Sequence, residues 1–274
     1  MPWHGGHERI CYTLDMDRLK DSHKGENGKV AVIGGSATIH GAPLFAALAA
    51  ESSGADLLFV SVPKCHAEAA KTASLNFQVH PFGGDDLAAS DIPAIMELLA
   101  TMDCAVVGPG IAHGNAKSLK ALHDIITESP CRLILDAAAL QPDTLELVRG
   151  KAAVITPHLA ELERMHLTPA DLATQAGNAG AVIFLKGPID TIAGPDGSIT
   201  ELKGGNAGLT VGGTGDALAG LIAGLMAQGM EPLDAAKTAG TVMKRAAEEL
   251  FAEYGYAFGA RRVIEEMPKL LKRV

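Results

Sequence analysis

Aromatic residues are scarce in this chain: they make up 4% of its 274 residues and include a single tryptophan. So few rings, beside abundant alanine and glycine, suit closely packed helices on a sheet better than a β-sandwich. Cysteine is sparse too. Cys11, Cys65, Cys104 and Cys131 are widely spaced and form no C-x-x-C pair, which removes the usual signals for a zinc site or a redox centre. Cys104 and Cys131 fall in apparent strands and read as small buried hydrophobes. Positive charge is in deficit, with 23 Lys and Arg against 32 Asp and Glu and a formal net charge of −9. That balance argues against nucleic acid or an anionic membrane as partner, and any phosphate site must be local. No stretch approaches the roughly 18 apolar residues of a membrane span, and MPWHGGHERI lacks the apolar core of a signal peptide. A cytoplasmic protein is expected. Pro/Ser-rich linkers, repeats and low-complexity tracts are missing as well, so residues 22–274 read as one domain behind an N-terminal extension, 1–21. His4 and His7 in WHGGH have metal-ligand chemistry, but in a short terminal segment they read as part of a flexible tail.

What the chain does contain is alternation. KVAVIGG (29–35), DLLFVSVP (56–63), FQVHPF, DCAVVGPG, CRLILDA and AAVITPH read as strands. Between them lie helical patterns: 41–54, Lys64 to about Leu75, IPAIMELLATM, NAKSLKALHDIITES and the short TLELVRG, with HLAELERM after the last strand. Such βαβ alternation implies a parallel sheet covered on both faces. Beyond Gly180 the pattern changes to AVIFLKG, DTIAGPDG and SITELKG, short strands around a PDG hairpin signal, so a small antiparallel edge is expected. Helices over 214–228, 232–253 and 258–272 are predicted to finish the chain. The fold class is α/β, doubly wound, with a mostly parallel sheet and helices on both faces.

In doubly wound sheets ligands lie beyond the carboxyl ends of the strands. There this chain places GGS (34–36), GPG (108–110), Asp136, TPH (156–158) and KG (186–187). To these it can add GLTVGGTGD (208–216), a glycine cluster that opens a helix, where free N–H groups and the positive end of the helix dipole form an anion site. Asp216 is the odd member, since a carboxylate repels an anion. Two roles are open for it: a helix cap, which aspartate performs well, or a base that takes the proton of a substrate hydroxyl while the glycine N–H groups hold a phosphoryl group.

The ordered set SHKGENGKVAVIGGS (22–36), GAP (41–43), GPG (108–110), TPHLAEL (156–162), LKG (185–187) and GNAGLTVGGTGDALAG (205–220) resembles the ADP- or ATP-dependent NAD(P)H-hydrate dehydratases of the ribokinase-like superfamily. The resemblance spans about residues 22–255 and implies repair of hydrated nicotinamide cofactors: ADP or ATP, with Mg²⁺, phosphorylates the ring hydroxyl, and loss of phosphate restores the double bond. It implies Asp216 as the base, with Gly213, Thr214 and Gly215 supplying N–H groups for the developing charge. Ala42, Gly110, His158 and Asp216 would contact the hydrate, and Lys186, Gly187, Pro188, Ile189, Asp190 and Gly215 the nucleotide, with Asn206 as a further neighbour. Glu161 resembles the glutamate that superfamily kinases use to organise metal-bound water. A homo-oligomer such as a tetramer, free of nucleic acid and membrane, is also implied.

Each of these residues has an ordinary alternative. Ala42 and Gly110 could serve close packing, His158 could cap the following helix, Lys186 could be a solvated strand end and Glu161 a surface carboxylate. The chain also departs from the family pattern. DAAAL (136–140) carries Ala138 in place of a second aspartate, GGSATIHGAP carries Ile39 in place of the usual tyrosine, and GPG is followed by IA rather than LG. A superfamily kinase that releases its phosphorylated product, or a nucleotide-binding protein without turnover, are the competing functions.

Overall fold

The computed structural model describes residue 18 and residues 20–272; His4, His7 and Cys11 lie outside the described residues. Among the described residues nine strands form a single sheet: β1 (Lys29–Ile33), β2 (Leu57–Ser61), β3 (Phe77–Val79), β4 (Cys104–Val107), β5 (Arg132–Leu135), β6 (Ala153–Ile155), β7 (Val182–Leu185), β8 (Asp190–Ala193) and β9 (Ile199–Leu202). Their order is β3-β2-β1-β4-β5-β6-β7-β8-β9. All pairings from β3 to β7 are parallel, while β7–β8 and β8–β9 are antiparallel, giving the small edge expected from the PDG turn. Strand order reverses between β1 and β4, so the glycine turns that leave them face a topological switch point.

The helices are α1 (Gly41–Ser52), α2 (Ala67–Ala73), α3 (Ile92–Leu99), α4 (Ala116–Glu128), α5 (Thr144–Leu147), α6 (Leu159–Arg164), α7 (Leu172–Ala179), α8 (Thr214–Ala227), α9 (Pro232–Tyr254) and α10 (Ala260–Leu271). Because side chains alternate across a strand, each strand feeds two cores. Val30, Val32, Val106, Ile134 and Val154 pack with α1, α8, α9 and α10 on one face. Ala31, Ile33, Val107, Leu135 and Ile155 pack with α3 and α4 on the other. Strands buried on both faces need apolar residues at every buried position, which is why VAVI (30–33), CAVV and VIFL read as unbroken runs.

Helix α8 lies centrally against α1, and its glycines set the spacing. A Cβ at Gly220 would stand 1.9 Å from the Ala46 carbonyl oxygen, and one at Gly224 would stand 2.1 Å from Ser53 Oγ. The two backbones meet there with no room for a methyl group.

Several expectations are corrected. The helix expected from Lys64 to Leu75 begins as a 3-10 turn over Lys64–His66 and ends at Ala73. The strand FQVHPF is confined to Phe77–Val79. Cys131 precedes β5 and is only partly buried, whereas Cys104 is fully buried in β4. Helix α7 has no counterpart among the helices expected from the sequence; its residues LATQAGNA include a glycine and polar side chains, a weak helical pattern.

Candidate active site

The site is built at the N-terminus of α8. Gly213 occupies the N-cap position with φ +98°, a left-handed conformation that glycine adopts without penalty. A Cβ there would also lie 2.5 Å from the Phe45 ring, so α1 and α8 abut at the loop. Among the described residues the N–H groups of Gly213 and Gly215 have no acceptor, while that of Thr214 donates to the Val211 carbonyl at 3.3 Å. The Thr214 hydroxyl is likewise committed, to the carbonyls of Leu209 at 2.6 Å and Val211 at 2.9 Å. Two of the three expected donors are thus open, and Thr214 shapes the turn instead.

Asp216 sits two residues inside the helix, whose N-cap position is held by Gly213, and its carboxylate meets its own backbone N–H in the first turn. Its carboxyl is pushed up from 3.8 to about 7, chiefly by burial and then by the neighbouring Asp136 carboxylate, against the lowering influence of Lys186. The helix dipole favours the charged form at this position, so burial and like charge together outweigh it. A carboxyl poised near neutrality is the protonation behaviour a general base requires.

Lys186 closes the other side. Its residue follows β7 and pairs across a short bridge with His158. The ammonium lies 2.8 Å from Asp136 Oδ1 and 3.6 Å from Glu161 Oε2. Burial alone would push this lysine down, but the carboxylates of Asp136 and Glu161 outweigh it and raise the group. Asp136 is fixed in turn by the Thr156 hydroxyl, which donates to the same oxygen at 2.8 Å. The solvated-strand-end alternative for Lys186 fails, since its side chain is 19% exposed and doubly paired. A Cβ on Gly215 would stand 3.3 Å from the ammonium, which places Lys186 directly beside the glycine cradle.

His158 does cap its helix: Nδ1 accepts from the Glu161 N–H at 3.2 Å, and Glu161 Oε2 accepts from the His158 N–H at 2.9 Å. This reciprocal box leaves Nε2 as the proton-bearing nitrogen of a side chain that is 54% exposed at the strand ends. Capping and ligand contact are compatible here. Glu161 is buried among His158, Lys186 and Arg164, the last at 3.8 Å, rather than lying on a helix surface.

At the switch point, Gly110 has φ +72°, and a Cβ on it would lie 3.2 Å from Ala42 Cβ and 3.0 Å from Ile39 Cγ2. Ala42, Gly110 and Ile39 thus form one wall, and Ile39, which stands where the family pattern has tyrosine, is 44% exposed on it. The Gly35 N–H donates to the Pro109 carbonyl at 2.8 Å, locking the two glycine turns together. Ala138, the other departure, is fully buried in the core beneath the strand ends.

A cavity of about 490 Å³ opens on the opposite side of the cradle, lined by residues that include Lys186, Pro188, Asp190, Asn206, Gly215 and Lys244. Its volume is in the range of small-molecule sites. Ile189 is 47% exposed and does not line it, and Asn206 is held by bonds to the Ala247 carbonyl and the Gly208 N–H. Asp136 was placed at this edge from the sequence without a role, and Lys244 was not singled out. A larger cavity of about 620 Å³ between α4 and α5 is bordered by none of Asp216, Lys186 or His158, so size alone does not mark the chemistry.

The family model described as NAD(P)H-hydrate dehydratase matches residues 30–269. The chain belongs to that family. It is 37% identical over 266 residues to the ADP-dependent (S)-NAD(P)H-hydrate dehydratase of Cenarchaeum symbiosum, covering 93% of this chain and 92% of the relative. The corresponding enzyme of Xanthomonas campestris is 34% identical over 263 residues, with 92% and 90% covered. Among solved structures, the ADP/ATP-dependent NAD(P)H-hydrate dehydratase of Bacillus subtilis, co-crystallised with ATP and Mg²⁺, superposes with a TM-score of 0.79 at 26% identity, covering 94% of this chain and 93% of the other. A ribokinase-like superfamily protein of Enterococcus faecalis reaches a TM-score of 0.80 at 26% identity, with 93% and 90% covered. The fold of this family member is ribokinase-like.

Proposed function

We propose that this protein dehydrates (S)-NAD(P)H hydrate back to NAD(P)H at the expense of ADP or ATP. The observation that carries the proposal is Asp216: a carboxyl inside the first turn rather than at the N-cap, raised to about 7, beside two open N–H donors and a paired lysine. The hydrate ring lies against Ala42, Gly110 and His158 with its hydroxyl toward Asp216, and the nucleotide occupies the cavity lined by Lys186, Pro188, Asp190 and Gly215. When bound, the nucleotide supplies the phosphoryl group that turns hydroxide, a poor leaving group, into phosphate.

The residues of this chain do the rest. Asp216 accepts the hydroxyl proton. The N–H groups of Gly213 and Gly215 and the ammonium of Lys186 face the charge that grows on the transferred group, an arrangement that needs no reorganisation during the reaction. Phosphoryl transfer depends on positioning and charge neutralisation more than on covalent participation by the protein.

Three or more metal-ligating side chains do not converge anywhere among the described residues. Mg²⁺ ordinarily keeps several waters and is carried by substrate phosphates with one or two carboxylates. Such an ion fits this edge, where Glu161 and Asp136 are the carboxylates near the cradle, and Glu161 would act on it through water.

The proposal extends to residues 22–274 as one catalytic unit and to a cytoplasmic homo-oligomer, without nucleic acid as partner. The continuous sheet from Lys29 to Leu202 supports the first. The net charge of −9 and the exposed cluster Phe251, Tyr254 and Tyr256 support the second. No helix among the described residues is long and apolar enough to cross a membrane.

The deciding experiment incubates the protein with NADH hydrate, Mg²⁺ and either ADP or ATP while the dihydronicotinamide absorbance is followed. Recovery only with nucleotide supports the proposal and identifies the donor. Flat absorbance with a phosphorylated product accumulating would make the protein a kinase.

A further inference from the structure

Lys244 lies in the middle of α9, within the run KRAAEE, where a lysine would be read as solvated. It is 5% exposed. Its ammonium makes three contacts: Asp190 Oδ2 at 3.1 Å, the Pro188 carbonyl at 3.3 Å and the Gly204 carbonyl at 3.3 Å. An ammonium has three protons to donate, so none remains for a ligand. Lys244 therefore does not bind a phosphate itself.

What it joins is informative. Pro188 belongs to the turn between β7 and β8, Asp190 opens β8, and Gly204 lies in the segment after β9; all three line the 490 Å³ cavity. Asp190 carries the tie further, since its Oδ1 accepts from the Gly187 N–H at 2.9 Å. Neighbouring positions on α9 hold the second segment too. Glu248 accepts from the Gly205 N–H at 2.8 Å, and the Ala247 carbonyl accepts from Asn206 Nδ2 at 2.7 Å.

Docking of α9 has close apolar packing of its own. Gly240 already lets the helix sit against Leu202 and Phe184, where a Cβ would lie within 2.6 Å and 2.9 Å of those side chains. A buried ion pair contributes little stability compared with apolar packing of the same volume. The pair is thus better explained by the positions it imposes than by the stability it adds.

We propose that Lys244 is a positioning residue of the nucleotide site, tying the 187–190 turn to the 204–206 segment so that the cavity holds the shape a nucleoside diphosphate requires. The inference rests on the nucleotide-dependent activity proposed above.

Two variants test it: Lys244→Met, and Lys244→Met combined with Asp190→Asn, which leaves no buried carboxylate unpaired. ADP affinity is read by calorimetry without the second substrate, kinetics by dihydronicotinamide recovery, and loop order by hydrogen exchange at Gly187 and Gly205. Loss of charged hydrogen bonds that hold both walls is expected to weaken ADP binding about tenfold in each variant. The loss falls on the KM for ADP far more than on kcat at saturating nucleotide or on the KM for the hydrate, and the two amides exchange faster. The double variant melts within about 5 °C of the parent, since the uncompensated charge is gone. ADP affinity within twofold of the parent in both variants, with only the melting temperature lowered, would overturn the inference and leave the function intact. A parent protein that binds no adenine nucleotide would overturn the functional proposal itself.

Discussion

Replacing Asp216 by asparagine separates the chemistry of this site from its architecture. The substitution keeps the size of the side chain and removes its ability to take a proton. A general base contributes at least ~10²-fold to rate, so kcat with NADH hydrate and nucleotide should fall by at least that factor. Stability should move the other way. In the folded protein the carboxyl is raised from 3.8 to about 7, so the native state holds its proton more tightly than the unfolded chain does. The stability this contributes is fully present below about pH 4 and is lost as pH rises through about 7. Taken at face value the displacement corresponds to roughly 4 kcal/mol. Asp216 is partly exposed, and water and local relaxation recover part of that, so an increase of roughly 1–3 kcal/mol for the variant at pH 8 is the reasonable expectation. The assay is a pair of urea melts, at pH 8 and pH 5, beside the absorbance assay. The gap between variant and parent should be largest at pH 8 and shrink at pH 5. A variant that is less stable than the parent at pH 8 while retaining activity per folded molecule would refute the assignment and restore a structural role for Asp216.

The neighbours of Asp216 predict shifts of opposite sign in the pH–rate profile. Asp136→Asn removes a charge that raises Asp216, so the acid limb should move to lower pH; Lys186→Met removes one that lowers it, so the limb should move to higher pH. Profiles of kcat/KM between pH 5 and 9 check both, and a common direction would show that neither group acts on Asp216 through its charge. Lys186→Met should also lower stability by roughly 3 kcal/mol, because it strands the buried Asp136 beside Glu161. Gly220→Ala should cost roughly 2–3 kcal/mol in chemical denaturation, since its methyl group would collide with the Ala46 carbonyl; an unchanged midpoint would mean that α1 and α8 can separate freely.

The fold was legible in the sequence where periodicity and punctuation agreed. Buried parallel strands such as CAVV and VIFL are apolar at every position, and the glycine-containing turns that follow them mark where each strand ends. Helix α7 escaped because its propensity is low, yet Thr168 and Asp171 bracket its start as a reciprocal cap, with the Thr168 N–H donating to Asp171 at 2.7 Å, and that T-x-x-D spacing was readable. Most of the site was visible as motifs at strand ends. Asp136 stands out at its strand end without a role, because its significance comes from contacts with Thr156 and Lys186 that are 20 and 50 residues away. Lys244 was hidden by its charge. Its spacing from Gly240 and Ala247, four and three residues, places it on the buried face of α9, but in a charge-rich run an inward lysine looks like any other. Thr214 carries a donor, as the family pattern implies, but its own turn consumes it, a detail fixed by backbone geometry alone.

The contact of Gly220 and Gly224 with α1 has a consequence beyond packing. A helix whose backbone rests on another backbone cannot slide or rotate without collision, so the angle at which Gly213 and Gly215 present their N–H groups is set one to three turns away, in the core. Ala46 and Ser53 do not line the 490 Å³ cavity, yet they act as the bearing surface on which the glycine loop is aligned. Heritable change at those positions would be felt first as misalignment, a folded protein that transfers phosphate poorly. Drift in α1 is thereby coupled to drift in α8, and the two helices are free to vary only as a matched pair.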